Sequence, residues 1–364
     1  MNALTQIPSL RDRARLQARL KAGLGGRMSI SLDDDVVDVR DSDGVGSIFR
    51  LTPEGEGLCL HVPAGPVERL LPALCAAIEA LTAGERTVRI GFGCDDGDLA
   101  AVLIREGVAI RKGEMLVAEP ALLWQQPRLW LPRAAPNGGH PQLHVLSGGQ
   151  RHPRRAPKPV GVCYARFIPW LGQVLSFRAV DVDGDLGLYH RWMNDPRVEV
   201  VWEDGGDLAR HGHDLEERTA DPHVLPLIGC ADGVPFGYFE VYWARENRIG
   251  PHYDADDYDR GWHVAIGEEA FRGRGWITAW LPSLMHFIFL DDIRTQRIVG
   301  EPKASHAQQI RNLDRAGFAK VKYFDLPHKR ALLVMLLRER FFADQLWAPE
   351  PVTEAPASEA SAQA

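Results

Sequence analysis

The chain has 364 residues, 45% of them hydrophobic and 25% charged, with a formal net charge of -7. Its length exceeds what one compact core usually holds, and its mild acidity excludes the basic excess of a nucleic-acid binder. Five scattered cysteines (Cys59, Cys75, Cys94, Cys163 and Cys230) include no C-x-x-C pair, which argues against a zinc site or a disulfide framework. No apolar run reaches the roughly 18 residues of a membrane span. The charged N-terminus lacks the apolar stretch of a secretory signal, so a cytoplasmic location is expected, with neither membrane nor nucleic acid as partner.

Residues 1–26 read as an amphipathic helix with Leu10, Leu16 and Leu20 among its apolar positions, ending at Gly25-Gly26. Strand-like runs follow at 29–32, 36–40, 48–52 and 58–62. A helix over 67–81 lies between Gly65-Pro66 and Gly84, then a strand over 87–92, a helix over 98–106 stopped by Gly107, and a strand over 108–119. Residues 1–130 therefore form an α+β domain expected to be non-catalytic. It is either a degenerate repeat of the C-terminal fold or an unrelated module for packing or dimerisation, which leaves a homodimer open.

Residues 131–170 have linker composition, with six prolines between Leu131 and Val160. Arg151, Arg154, Arg155 and Lys158 read as solvated linker charges, with an anion contact as the alternative. In the domain 171–348 the pattern gives a strand over 174–180, a helix over 185–194 and a polar stretch. A strand over 223–230 turns at Asp232-Gly233 into another over 236–244. Then come a strand over 261–267, a long helix over 276–290, a strand over 297–300, a helix over 307–316, and strands over 319–326 and 330–337. This is again α+β, a mixed sheet flanked by helices. The tail 349–364, rich in Ala, Glu, Pro and Ser, is expected to be disordered.

Two clusters carry chemistry. Arg272-Gly273-Arg274-Gly275-Trp276 lies between a strand and the long helix, where unpaired amides and the helix dipole suit a pyrophosphate. Arg272 and Arg274 can add charge-assisted contacts. The second cluster runs from Phe236 to Gly267. It joins aromatics (Tyr242, Trp243, Tyr253) to an acidic loop (Asp254, Asp256, Asp259), which suits a small cationic ligand, although hydrated loop carboxylates are the plainer alternative for any single Asp. His263 sits just before the phosphate loop, and an unperturbed imidazole titrates near neutrality, so it can accept a proton from an attacking nitrogen.

The R-x-x-G-x loop opening a helix, with Gly317-Phe318 downstream, resembles the acyl-CoA loop of GNAT acyltransferases. Ile277 stands where that loop usually ends in a small residue, Leu313 where many members carry a Tyr acid for the leaving thiolate, and His306 where an Asn is common. Arg191 to Pro196 with Trp202, Leu225 to Gly229, Gly237 to Trp243 and Ile249 to Gly267 resemble a narrower group. These are the aerobactin-type N6-hydroxylysine acetyltransferases and mycobactin-type lysine N-acyltransferases of siderophore biosynthesis.

The resemblance implies His263 as catalytic base with Glu301 as its carboxylate partner, where mycobactin-type members carry Asp. It implies acetyl-CoA or another acyl-CoA as co-substrate, held by Val264, Ile266 and the 272–276 loop, and no metal. A substrate site of Trp192, Asn194, Trp202, Tyr242, Trp243, His252, Tyr253, Asp254, Asp256 and Asp259 would hold a hydroxylamine or amine. Direct attack on the thioester is expected, since no cysteine is placed for a ping-pong route. An aminoglycoside or polyamine N-acetyltransferase is the rival enzyme, and a catalytically silent acyl-CoA-binding module the rival from another class.

Overall fold

The computed structural model describes residues 18–350, apart from 23–26, 34, 55–56, 87, 95 and 133–142. Strands β1 (Ala18–Ala22), β2 (Met28–Asp33), β3 (Val36–Arg40), β4 (Gly46–Glu54) and β5 (Gly57–His61) form an antiparallel meander. Val37, Val39, Phe49 and Leu51 alternate inward, as a sheet covered on one face requires. Helix α1 (Val67–Thr82) crosses to β6 (Ile90–Gly93), which runs parallel to β5. Helix α2 (Gly97–Arg105), capped by the Asp96 carboxylate, leads to the hairpin β7 (Ala109–Lys112) and β8 (Met115–Ala118).

Two expectations change here. Residues 108–119 hold two strands, because Gly113 takes a positive φ and reverses the chain. Ala18–Ala22 is an edge strand paired with Met28–Leu32, not helix; the remainder of that expected helix lies outside the described residues, as does most of the tail.

After the short helix α3 (Pro120–Leu123), the segment expected as linker is partly built into the fold. It carries a hairpin, β9 (His144–Ser147) and β10 (Gln150–Pro153), and then β11 (Val162–Ile168), the buried first strand of the second sheet. Arg155 is no solvated charge: it forks onto Glu246 at 2.6 and 2.7 Å, and Lys158 donates to the carbonyls of Arg218 and Thr219. From β12 (Gln173–Ala179) the chain makes three helices, α4 (Val182–Met193), α5 (Pro196–Trp202) and α6 (Leu208–Ala220). Then follow β13 (Val224–Ala231), β14 (Val234–Trp243), β15 (Arg260–Ile266), α7 (Arg274–Asp291), β16 (Arg297–Gly300), α8 (Ala307–Arg315), β17 (Ala319–Leu326), β18 (Lys329–Leu337) and α9 (Arg338–Ala343).

The two large sheets share one topology. Their orders are β1-β2-β3-β4-β5-β6-β8-β7 and β11-β12-β13-β14-β15-β16-β18-β17, with β5/β6 and β15/β16 as the corresponding parallel pairs. The N-terminal domain is thus a second copy of the topology, the repeat alternative. It lacks the counterpart of α4–α6, since only two residues separate β2 from β3, and its α1 opens with Glu68 where an anion would need neutral or basic surroundings.

An aromatic seam joins the domains. Trp124 stacks between Trp130 and Trp347 at 4.6 and 4.8 Å, and His286 Nε2 donates to the Trp124 carbonyl at 2.6 Å while its Nδ1 accepts from Tyr164. Burial pushes the His286 pKa down to about 3 from 6.5, so it is neutral when folded. As pH falls from 6.5 to about 3 the unfolded chain takes a proton that the native one refuses, and stability is lost across that window. The urea midpoint of wild type should fall across it, and His286→Gln should flatten the dependence; an unchanged slope would show that other groups set it.

Candidate active site

Strand β15 is the axis of the site. Ala244 N donates to Asp259 O, so along the antiparallel ladder the backbone groups of Gly261, His263 and Ala265 face β14 while those of Val264 and Ile266 face away. On that far side β16 pairs only at Arg260–Ile298 and Gly261–Val299, and the strands then diverge. The Val264 and Ile266 amides consequently face the gap. Their carbonyls accept from Trp202 Nε1 at 3.0 Å and from Arg272 at 2.6 Å.

Beyond β15 the backbone turns at Gly267, where a Cβ would sit 2.1 Å from the Trp192 indole, so only glycine lets that ring pack there. Gly273, with φ 95°, ends the loop, and Arg274, Gly275 and Trp276 form the first turn of α7 with no acidic residue in it. Exposed first-turn amides, open space above Gly273 and the positive helix end fit a pyrophosphate. Arg272 departs from the expected role, since its guanidinium is spent on the Ile266 and Gly267 carbonyls.

A Cβ on Gly275 would meet only Leu171, at 3.8 Å. Gly275→Asp should therefore leave Tm within about 2 °C, because an acid at a helix N-terminus does not harm the fold. It should raise the acyl-CoA KM at least about tenfold through repulsion of the phosphates. An unchanged KM would remove the loop from acyl-CoA binding.

The centre is His263, held between two carboxylates. Nδ1 meets Glu240 Oε2 at 2.9 Å and Nε2 meets Glu301 Oε1 at 3.1 Å. Glu240 also takes Tyr238 OH at 2.9 Å and Arg218 at 3.0 Å. Glu301 takes Tyr242 OH at 3.0 Å and Arg248 at 3.1 Å. Burial alone would lower the His263 pKa, but its hydrogen bonds to Glu240 and Glu301 and their charges outweigh it and raise the pKa to about 9. His263 is thus an imidazolium at neutral pH, donating from both nitrogens, where the sequence suggested a group titrating near neutrality. Burial would raise the Glu301 pKa, yet the His263 bond and the nearby cations hold it far below the carboxylate range.

Glu240 escaped the sequence reading. Its signal was there: a single acid in phase with Tyr238 and Tyr242 in an otherwise uncharged strand, and register sets it directly opposite His263.

Of the ten residues read as substrate-binding, Tyr242 and Trp202 reach His263, with ring centroids at 4.8 and 6.1 Å. His252 packs on Phe324 at 4.5 Å, beside the β17–β18 hairpin. Trp192 is buried under the phosphate loop, and Asn194 staples the Gly206 backbone. Trp243 points to the opposite face of the sheet, between Arg155 and Arg260, each at 4.0 Å. The acids are already engaged: Asp259 forks with Arg297 at 2.8 and 2.7 Å and takes Tyr253 OH, Asp256 pairs with Arg297, and the Asp254 carbonyl accepts from it. That loop is a scaffold, not a cation trap. A cavity of about 450 Å³ on the far face, lined by Val241, Trp243 and Phe287, includes neither His263 nor Glu301.

Residues 181–326 match the family model described as an acetyltransferase (GNAT) domain. The chain is 40% identical over 221 residues to the N(6)-hydroxylysine O-acetyltransferase of Escherichia coli, covering 61% of this chain and 70% of that protein. It is 46% identical over 210 residues to an N(5)-hydroxyornithine:cis-anhydromevalonyl coenzyme A-N(5)-transacylase of Beauveria bassiana (strain ARSEF 2860), covering 57% of this chain and 46% of that protein. A hydroxyornithine transacylase of Ajellomyces capsulatus is 41% identical over 196 residues, covering 53% and 45%. The match thus spans about half the length of these fungal relatives.

The chain belongs to the GNAT acetyltransferases, enzymes that transfer an acyl group from acyl-CoA, within the group that holds these relatives. Among the described residues no helix is long and apolar enough to cross a membrane.

Proposed function

We propose that the chain transfers an acetyl group from acetyl-CoA to the side-chain nitrogen of N6-hydroxylysine, forming a hydroxamate for siderophore assembly. The observation that supports this most is the Glu240–His263–Glu301 row beside the gap between β15 and β16, with the 272–276 loop at the same strand end. The relatives' substrates supply the acceptor class.

The hydroxylamine nitrogen attacks the thioester carbonyl, forming N–C, and the Val264 and Ile266 amides stabilise the developing oxyanion. The nitrogen's proton passes to Glu301, while the C–S bond breaks and CoA leaves as thiolate. His263, charged at rest with both its N–H groups on Glu240 and Glu301, steadies Glu301, and the thiolate departs without a protein acid. Leu313, buried at 2% exposure, offers none.

The acids engaged by Arg297 weaken the polycation reading, and the intact His263–Glu301 contact weakens the silent-module reading. The test is CoA release from acetyl-CoA with N6-hydroxylysine, followed by ferric-complex absorbance of the product. A coloured ferric hydroxamate is expected. CoA release without a ferric chelator would mean O-acylation, and no release would overturn the proposal.

A further inference from the structure

The gap between β15 and β16 is closed at one end, and Trp262 stands there. The strands pair at Arg260–Ile298 and Gly261–Val299, so Trp262 and Gly300 are the first residues past the last pair. Glu240, Tyr242 and His263 share one face of the sheet. Alternation puts Trp262 on the other, against Trp280 of α7 and Phe318, with ring centroids at 6.4 and 6.5 Å. Its indole reaches across to β16: a Cβ on Gly300 would stand 3.9 Å from Trp262 Nε1 and 3.3 Å from Val334 Cγ2. That nitrogen has no hydrogen-bond partner and the residue is 6% exposed, so packing alone fixes the ring as a wall.

A thioester is planar, and the site orients three of its directions. The carbonyl oxygen points to the β15 amides, the sulfur runs toward the 272–276 loop, and the nitrogen attacks across the plane from the His263 face. The acyl substituent is left to point into the closed end of the gap, onto Gly300 and the Trp262 indole. A longer chain has no way out on the His263 face, where Tyr242 and Trp202 stand and the acceptor enters. We propose that Trp262 sets the length of the acyl group, holding the enzyme to acetyl by closing the α7 face of the sheet to longer chains. This rests on the acyltransferase reading above and adds the residue that selects the donor. Behind the indole there is room. Val241, paired with Trp262 across the strands, lines the cavity of about 450 Å³ together with Phe287.

The test compares kcat/KM for acetyl-, butyryl- and octanoyl-CoA, with N6-hydroxylysine, in wild type, Trp262→Leu and Trp262→Phe. Wild type should favour acetyl over octanoyl by about 100-fold or more, because a chain with no room must displace packed core. Trp262→Leu should narrow that ratio at least about tenfold, and Trp262→Phe should narrow the acetyl-to-butyryl ratio by about threefold or more. General loosening would lower all three donors alike, whereas selection by the indole moves their ratios. A thermal shift with CoA equal to wild type establishes that a variant is folded with its phosphate loop intact, and the Phe variant carries the test if the Leu variant does not fold. Unchanged ratios in the folded variants, or a wild type that takes octanoyl-CoA as readily as acetyl-CoA, overturn the role of Trp262 and leave the acyltransferase reading standing. Turnover of none of the three donors by wild type overturns that reading and the role together.

Discussion

Glu301→Gln is expected to lower kcat/KM on N6-hydroxylysine by about 10²- to 10⁴-fold, the range for removal of a positioned proton acceptor. The substitution keeps the shape of the side chain. The amide oxygen can still receive Tyr242, but the charge that pairs His263 Nε2 and Arg248 is gone. Two readouts separate a catalytic effect from a structural one. The acetyl-CoA thermal shift should persist, because the phosphate loop does not touch Glu301. The His263 pKa, raised to about 9 by two carboxylates, should fall when one becomes neutral, and imidazole NMR titration reads this directly. Glu301→Asp keeps the charge but shortens the reach by one methylene, so it should lose less activity than Gln. A Glu301→Gln enzyme within about threefold of wild type would place the proton acceptor elsewhere.

Much of this was legible in the sequence, for reasons that differ by element. The 67–81 helix and the 236–244 strand announce themselves through apolar periodicity between glycine and proline stops. The loop at 272–276 shows because glycines at a helix start are a local signal. Helix α6 is invisible to such a reading, since among its residues only His211 and Leu215 are buried and its start rests on the Asp207 cap. Strand β11 hides behind a proline-rich approach, although its Val162–Ile168 stretch is apolar enough to have been read. The acidic loop misled because composition shows charges but not partners. Arg297, 38 residues from Asp259 in sequence, is what neutralises it. Glu240 belongs to the same class: it acquires meaning only from the register that sets it opposite His263.

The repeated topology bears on why the candidate site lies in the second half. Both copies have the parallel strand pair and the crossover helix, which are what the fold needs. Only the second has Trp202, reached through α4–α6, a loop free of acids at the start of its crossover helix, and a strand histidine set between two carboxylates; His61, in the corresponding strand of the first copy, meets the Thr52 hydroxyl instead. The first copy instead offers Trp124 and Trp130 to a shared core, against which His286 and Trp347 pack. The seam buries one side of α7, whose N-terminal end carries the 272–276 loop.

The pH profile gives the second large effect. His263 is an imidazolium below its pKa of about 9, and the mechanism above uses it in that form, so kcat/KM on the hydroxylamine should be nearly flat from about pH 6 and fall above about 9. Were neutral His263 the base, the same quantity would instead climb about tenfold per pH unit up to about 9. Lysine provides the contrast: its amine, with a pKa near 10.4, must lose a proton first, so its rate should climb through the same range. The same shift governs stability. Because the folded pKa lies above the unfolded value of 6.5, the stabilisation from the Glu240–His263–Glu301 row is fully present below pH 6.5 and is lost as pH rises toward about 9. His263→Asn should abolish the alkaline loss of activity along with most of the activity itself. It should also destabilise the fold at neutral pH, since two buried carboxylates lose the cation between them. A variant with unaltered stability and a wild-type profile would mean that the imidazolium contributes to neither.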